Sequence, residues 1–440
     1  MGVIHALYVG ILALYVLAGC ALVPFHGDES TILYMSGDFD TLFLRGDLAH
    51  IEYHDPPPAG DPQAVSKQAL RILNGVTSKY IYGLAWRLSG LTVYNLNQQW
   101  IWGPDWAYNQ SQNTIPTPFL LFIARWASGL LTALSVALVF VIGLRAGGWR
   151  TAYVATFIYT LTPAVLVNGR RAVFESALLA ATALLIYLAQ RVTGKQFTSV
   201  RAVIGRVLIL GMAAGLTVAS KHTGLLAVVA VLGAVILYPL LGQGLIRALR
   251  AGLIAVGALA VAALTFLALN VSWWSQPLAM PKIVLDQRQL LLKGQIAQTG
   301  GYESTAARFE GLMYESLVPA PQYFEIRKGW PDWIGPQIAA YESAGLAGLG
   351  GSPWTLVIGL LALGGLLRGL IGWRRASVFI VLCWIAVVAL GLYILTPLEW
   401  QRYYLPLAAP VAVVCGLLFM SDPRMSVVRY AATPKPEPVR

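Results

Sequence analysis

The sequence predicts an all-α polytopic membrane protein, with about ten transmembrane helices and two large loops on one face. Three observations predict it. The 440 residues are 57% apolar and only 12% charged, about half the charged share of an ordinary soluble domain. Apolar runs recur at the ~20 residues that a helix rising about 1.5 Å per residue needs to cross ~30 Å of hydrocarbon. Finally, Lys and Arg concentrate in alternate connections, the pattern of the positive-inside rule.

Read along the chain, the apolar runs place spans near 3–23, 118–144, 151–168, 172–190, 203–220, 223–242, 248–270, 353–371, 376–396 and 403–420. The first, Val3 to Val23, carries no Asp, Glu, Lys or Arg. Leu17-Ala18-Gly19-Cys20 inside it has the form of a lipoprotein cleavage box. The basic residues that such signals need are missing ahead of it, so the match reads as chance and the segment as a retained helix. Two long polar segments, 25–117 and 271–352, fall on one side, and 421–440 forms a tail on the other. With the N-terminus cytoplasmic, the inside connections hold Arg145, Arg150, Arg191, Lys195, Arg201, Arg206, Arg247, Arg250, Arg368, Arg374 and Arg375, and the tail adds Arg424, Arg429, Lys435 and Arg440. That orientation implies an integral plasma-membrane protein with both termini cytoplasmic and both long segments outside. The stretch Val65 to Leu88 mixes apolar and basic residues, as an interfacial helix does. An eleventh span there would invert every later loop.

The net charge of +11 follows from the cytoplasmic loops, and no basic cluster interleaved with exposed aromatics points to nucleic acid. Cys20, Cys383 and Cys415 lie in apolar runs without pairing or zinc-ligand spacing. Trp86, Trp100, Trp102 and Trp106 in the first segment suit the headgroup level, where short interfacial helices are expected.

The chemistry-bearing residues gather where spans meet the outer face. Asp28 and Glu29 follow Pro24 at the end of the first span. Asp28 suits the N-cap of a helix over 29–35, and it equally suits a general base whose pKa a partly dry cleft raises. His54 and Asp55 precede a proline run at Pro56 to Pro58. Arg170 and Arg171 sit outside against the charge rule, with Glu175 at i,i+4 from Arg171. Lys221 and His222 form the short link "SKHTG", where Lys221 either snorkels to the interface or meets a phosphate at a helix N-terminus. Glu399 and Arg402 share a helical face at i,i+3, as a salt bridge or a second phosphate clamp. Misplaced cations cost about 2.5–3.5 kcal/mol at a span centre and call for an anionic partner.

Together, the acidic pair after the first span, the proline-rich element, "RRAVFE", "SKHTG" and "QRYYLPLAAP" resemble the GT-C polyprenyl-phosphate-dependent glycosyltransferases. The similarity is to glycosyltransferase family 39, with its protein O-mannosyltransferases, and to the lipid-A aminoarabinose transferases. It spans about residues 1–240 and 376–420. The resemblance implies an inverting transfer on the outer face, from a polyprenyl-phosphate sugar to a hydroxyl of a protein, lipid or glycan acceptor. It implies that Asp28, with Glu29 beside it, acts as base or binds a metal, and that Arg170, Arg171, Lys221, His222 and Arg402 hold the donor phosphate. His54, Asp55, Glu175 and Glu399 would support them. A divalent cation, Mg or Mn, is compatible with ligands from Asp28, Glu29 or Asp40. The family's His-Pro-Pro stands here as His54-Asp55-Pro56-Pro57-Pro58, one residue displaced. The chain is expected to lack the soluble C-terminal domain of several relatives. That leaves 271–352, with Trp273, Trp274, Tyr302, Tyr314, Trp330 and Trp333, as the candidate acceptor surface, although interfacial anchoring explains these aromatics equally well. Two rival readings are a lipid or sugar transporter and a non-catalytic GT-C-like subunit of a larger membrane complex.

Overall fold

The computed structural model describes residues 2–57, 63–194, 199–327 and 329–421. Pro58, Lys195 and all of the expected tail after Ser421 lie outside the described residues. The first span is helix α1 (Val3–Ala18), which a 3₁₀ turn extends to Ala21. The first long segment then folds into short helices: α2 (Gly27–Met35), α3 (Ala64–Leu73), α4 (Thr77–Leu88) and α5 (Trp106–Ser111). Long α6 (Pro118–Gly147) returns through the bundle. It is followed by α7 (Trp149–Leu161), α8 (Pro163–Arg170), α9 (Glu175–Val192), α10 (Val200–Ser220), α11 (Leu225–Gly242) and α12 (Leu245–Leu269). The second long segment forms α13 (Met280–Thr299), α14 (Thr305–Ser316) and α15 (Trp330–Ser343). Helices α16 (Ser352–Ile371) and α17 (Ala376–Leu395) cross back, and the chain finishes in α18 (Gln401–Tyr404) and α19 (Ala408–Leu417). The described residues contain no β-strand.

Eight helices among the described residues are long and apolar enough to span a membrane. Helices α7 and α8 are together apolar and long enough for a further span but meet at 62° across Thr162, where Pro163 removes a backbone donor and opens a new helix at its first position. The tenth expected span is a chain of short pieces, α18, a 3₁₀ turn at Leu405–Leu407 containing Pro406, and α19. Residues Ala409 to Leu417 of α19 are buried throughout, so this piece fills the bundle's centre. Gly365 of α16 has no room for a Cβ against the Val414 carbonyl of α19. On α10, Gly211 and Gly215 meet Ala258, Val261, Ala262 and Thr265 of α12, a small-residue seam of the kind that packs helices in lipid.

Both long segments lie at the same end of the bundle. Phe25 N–H donates to Gln337 Oε1 (2.8 Å), and Tyr53 N–H to the Ser272 carbonyl (3.3 Å). Trp100 and Trp330, 2% and 3% exposed, stack with Phe25, Trp102, Trp106 and Trp333 into one aromatic cluster joining the two segments. The tryptophans expected at the headgroup level therefore divide. Trp102 is exposed, while Trp86 is buried with its indole N–H on Ser36 Oγ (2.9 Å), because desolvated indoles need an internal acceptor. The basic connections meet at the opposite end, where Ser377 Oγ donates to the Arg145 carbonyl (2.9 Å) and Tyr238 O–H to the Arg374 carbonyl (2.8 Å).

Candidate active site

Helix α2 begins at Gly27, so the N-cap is His26 and not Asp28, which stands in the first turn. His26 Nδ1 accepts the Asp28 N–H (3.1 Å) and Glu29 Oε2 accepts the His26 N–H (3.1 Å), a reciprocal capping box. With Nδ1 accepting, a neutral His26 carries its proton on Nε2, which lies 2.8 Å from Glu325 Oε2. The His26 ring also stacks on Trp330 at 5.7 Å. Glu325 belongs to the second segment, and nothing in the letters around it marked it out.

Asp28 pairs with Arg402 Nη1, across nearly the whole chain. Arg402 Nε lies 2.9 Å from Glu325 Oε1 but out of hydrogen-bond alignment, so that N–H has no acceptor among the described residues. Burial opposes ionisation of Asp28 and Glu325, and the Arg402 guanidinium overcomes it, holding both carboxyls below the usual range. The pKa expected to rise in a dry cleft is thus lowered by an ion pair. As it stands, Asp28 is a weak base.

Next to this pair, Lys221 Nζ donates to Glu175 Oε1 (2.7 Å). The link carrying Lys221 is fixed from outside by Val76, whose N–H donates to the Ala219 carbonyl (2.7 Å). Gly75 allows that approach, since a Cβ there would strike the Ser220 backbone. Tyr403 is the hub: Lys221 Nζ, Arg288 Cζ and Arg402 Cζ stand 5.9, 5.8 and 5.8 Å from its ring centroid, within range of cation–π attraction. Arg288 comes from α13 and was not foreseen. His222 packs against Phe266 and Trp273, and its Nε2 is buried without a hydrogen-bond partner among the described residues.

Other expected members fall elsewhere. Glu29 is 0% exposed and locked by Arg125, which donates from Nε and Nη2 at 2.7 Å each, and by the Ala172 N–H (2.9 Å). Its oxygens are occupied, so it holds α2 to the bundle. Arg125 had a signal that was passed over, a lone charge inside an apolar span. Arg170 is also 0% exposed, and its donors go to the Val16, Tyr15 and Leu346 carbonyls and the Tyr341 hydroxyl. In place of a phosphate it binds the end of α1 to the second segment. Arg171 donates to the Pro24 and Tyr323 carbonyls (2.9 and 2.8 Å) and does not pair with Glu175. His54 and the exposed Asp55 sit near α3 and Ser272, with His54 N–H on Gln68 Oε1 (2.5 Å). Glu399 is exposed, and Arg402 turns to Asp28 and Glu325 instead. Asp40 pairs with Arg45 at 2.8 Å. Asp28, Glu29 and Asp40 therefore do not assemble a metal site, and among the described residues no group of three or more His, Cys, Asp or Glu is placed to hold one.

Behind Tyr404, burial pushes the Glu315 carboxyl up to about 7 against a hydrogen bond from Gln401, and its Oε2 is unpartnered. A carboxyl whose folded pKa is raised contributes stability that is full below the unfolded value, ~4.5, and is lost as pH rises through the folded value. Thermal unfolding in detergent should show the wild type losing on the order of 2 kcal/mol between pH 4.5 and 7 relative to Glu315→Gln, which removes that slope.

A family model described as dolichyl-phosphate-mannose-protein mannosyltransferase matches residues 76–275, the stretch from the start of α4 through the Lys221 link to the entry of the second segment. Several solved structures superpose over almost all of the chain. One is ArnT from Cupriavidus metallidurans bound to undecaprenyl phosphate, with a TM-score of 0.52, 14% identity, 97% of this chain and 63% of that one covered. The chain has the GT-C fold. Another is the archaeal oligosaccharyltransferase AglB from Archaeoglobus fulgidus in complex with an inhibitory peptide and a dolichol-phosphate, with a TM-score of 0.53, 14% identity, and 98% and 52% covered. The chain thus spans between half and two thirds of the length of these GT-C structures. No curated protein sequence matches it. Within the GT-C frame, the end of the bundle that carries Asp28, Arg402 and Lys221 is the end where both long loops gather.

Proposed function

We propose that this protein transfers a sugar from a polyprenyl phosphate to an acceptor hydroxyl, with inversion, at the face carrying the two long segments. The basic connections at the opposite end support a position of that face outside the cytoplasm. The observation that carries the reading is convergence: Arg402, Lys221 and Arg288, from three distant elements, gather around Tyr403, and Arg402 reaches Asp28 of the first loop.

In this arrangement the cations are neutralised internally, Arg402 by Asp28 and Glu325, and Lys221 by Glu175. A lipid phosphate entering beside Tyr403 competes for them with more oxygens and more charge. As Arg402 turns toward the phosphate, Asp28 loses the partner that depresses its pKa and becomes a stronger base. The acceptor oxygen then forms its bond to the anomeric carbon while the bond from that carbon to the phosphate oxygen breaks. The acceptor proton passes to Asp28 and the electron pair leaves with the lipid phosphate. Arg402, Lys221 and Arg288 stabilise the charge that develops there. The unengaged Arg402 Nε–H and His222 Nε2 are further groups able to meet the phosphate.

The test uses the full chain in lipid nanodiscs with polyprenyl-phosphate sugars, following release of free polyprenyl phosphate with and without candidate acceptors. Lys221→Gln should lower the release rate by about 10²–10³, the usual effect of removing one charge-stabilising donor. Donor turnover that Lys221→Gln leaves unchanged would remove Lys221 and its link from the site. The internally neutralised ion pairs also favour a second reading, a structural subunit that keeps the fold without the chemistry. An absence of donor turnover, together with co-purification in fixed stoichiometry with other membrane proteins, would select it.

A further inference from the structure

The first loop builds a second charged site that the chemistry above does not use. Asp38, 7% exposed, is held by two cations. Arg71 donates to it from Nη2 (2.7 Å) and Nε (3.1 Å), and Lys79 Nζ lies 2.6 Å away. Burial raises the Asp38 carboxyl, but Lys79 and Arg71 hold it down at about 2, so one negative charge faces two positive charges in a desolvated setting. Arg71 is anchored further by the His50 carbonyl (2.7 Å). Beside this cluster opens a cavity of about 310 Å³, within the ~300–1,000 Å³ range of small-molecule sites. Arg71 and Lys67 line it, with Tyr34 and Met35 of α2 on one wall and Asn97 and Gln98 on another.

Asn97 points to the ligand's second feature. It is 3% exposed. Its Nδ2 donates to the Ser30, Gln98 and Thr114 carbonyls, which fixes the amide's orientation. Its Oδ1 is then left buried with no donor among the described residues, a costly state that a ligand hydroxyl would relieve. The cavity thus offers surplus positive charge for an oxyanion and an unused carbonyl oxygen for a hydroxyl. It also stands close to Asp28. Met35 follows Asp28 by seven residues on α2, which puts both on one helical face about 10 Å apart along the axis.

Resting on the transferase reading, we propose that this cavity binds the acceptor through an oxyanion-bearing, hydroxylated group, as in a phosphorylated sugar or sugar acid, and so presents a hydroxyl about 10 Å away to Asp28. The buried Asp38–Arg71–Lys79 triad supplies the fixed positive field, Lys67 contacts the oxyanion and Asn97 Oδ1 reads a hydroxyl.

The test measures binding without donor or turnover, so it stands or falls separately from transferase activity. The full chain in phosphatidylcholine nanodiscs is melted with glucose 6-phosphate, with glucose, and with sodium chloride at matched ionic strength. Glucose 6-phosphate should raise the melting temperature above both controls. Its apparent affinity should fall about tenfold in Lys67→Gln, the loss of one charge-assisted hydrogen bond, and its effect should vanish in Lys67→Glu, with Lys282→Gln, on exposed α13, behaving as wild type. Protection no greater than with sodium chloride, or equal protection in Lys67→Glu, overturns the site. If phosphatidylglycerol nanodiscs abolish the protection in the wild type, the cavity holds a bilayer headgroup and the acceptor assignment fails.

Discussion

Asp28→Asn should abolish sugar transfer while leaving the protein folded. Asparagine keeps the size of the side chain and removes the charge that receives the acceptor proton, and loss of a positioned base costs typically about 10²–10⁴ in rate. The fold should tolerate it, because Arg402 retains Glu325 at 2.9 Å and the capping box of α2 uses only the backbone N–H of residue 28. Release of polyprenyl phosphate by wild type and variant, each shown monodisperse by size exclusion, measures the effect. Turnover retained in the folded variant would take Asp28 out of the mechanism. The pH profile adds a second reading. Since Arg402 holds the Asp28 carboxyl of the free protein below the ordinary carboxylate range, the ionised form persists as pH falls, and the acid limb of the wild-type kcat/KM profile, which reports the free enzyme, should lie below about pH 4.

The adjacent acid should behave in the opposite way. Glu29→Ala removes the carboxylate that pairs with the buried Arg125 guanidinium and also strips acceptors from the Ala172 and His26 N–H groups. Breaking a buried pair from one side costs about 3–5 kcal/mol, whereas replacing both partners with apolar residues costs far less. Glu29→Ala should therefore lower the unfolding temperature sharply or prevent isolation of folded protein, and the double variant Glu29→Leu with Arg125→Met should recover most of the loss. A double variant as unstable as the single one would show that Glu29 acts through something other than Arg125. Adjacent in sequence and alike in chemistry, Asp28 and Glu29 are separated in role by the 100° turn between successive helical residues. One faces the open cleft, 25% exposed, and the other the bundle interior.

The same logic explains why some residues of the candidate site were legible and others were not. Lys221 and Arg402 were recognisable because charges at span ends on the disfavoured side are expensive. Arg170 carried the same signal, but what repays its cost is internal: three backbone carbonyls and a tyrosine hydroxyl. A buried cation announces that it has a partner without saying whether that partner is protein or substrate. Glu325 and Arg288, in the second segment, gave no signal because acids and bases on polar loops are ordinary. The Asp38 cluster was missed for the same reason, since Asp38, Arg71 and Lys79 are unremarkable singly and become a site only when α2, α3 and α4 pack together.

By itself, the sequence determined that this is a helical membrane protein, roughly where its spans run, that its two long segments share a face, and that ionisable groups collect there. Those properties follow from local composition, because hydrocarbon thickness and the cost of burying charge act on each stretch of chain separately. Only the tertiary structure decided which charges meet: Asp28 with Arg402, Glu29 with Arg125, Lys221 with Glu175, and Arg170 with the end of α1. Pairing depends on distances between elements far apart along the chain, and the break of 62° between α7 and α8, together with the short pieces from Gln401 to Leu417, sets those distances.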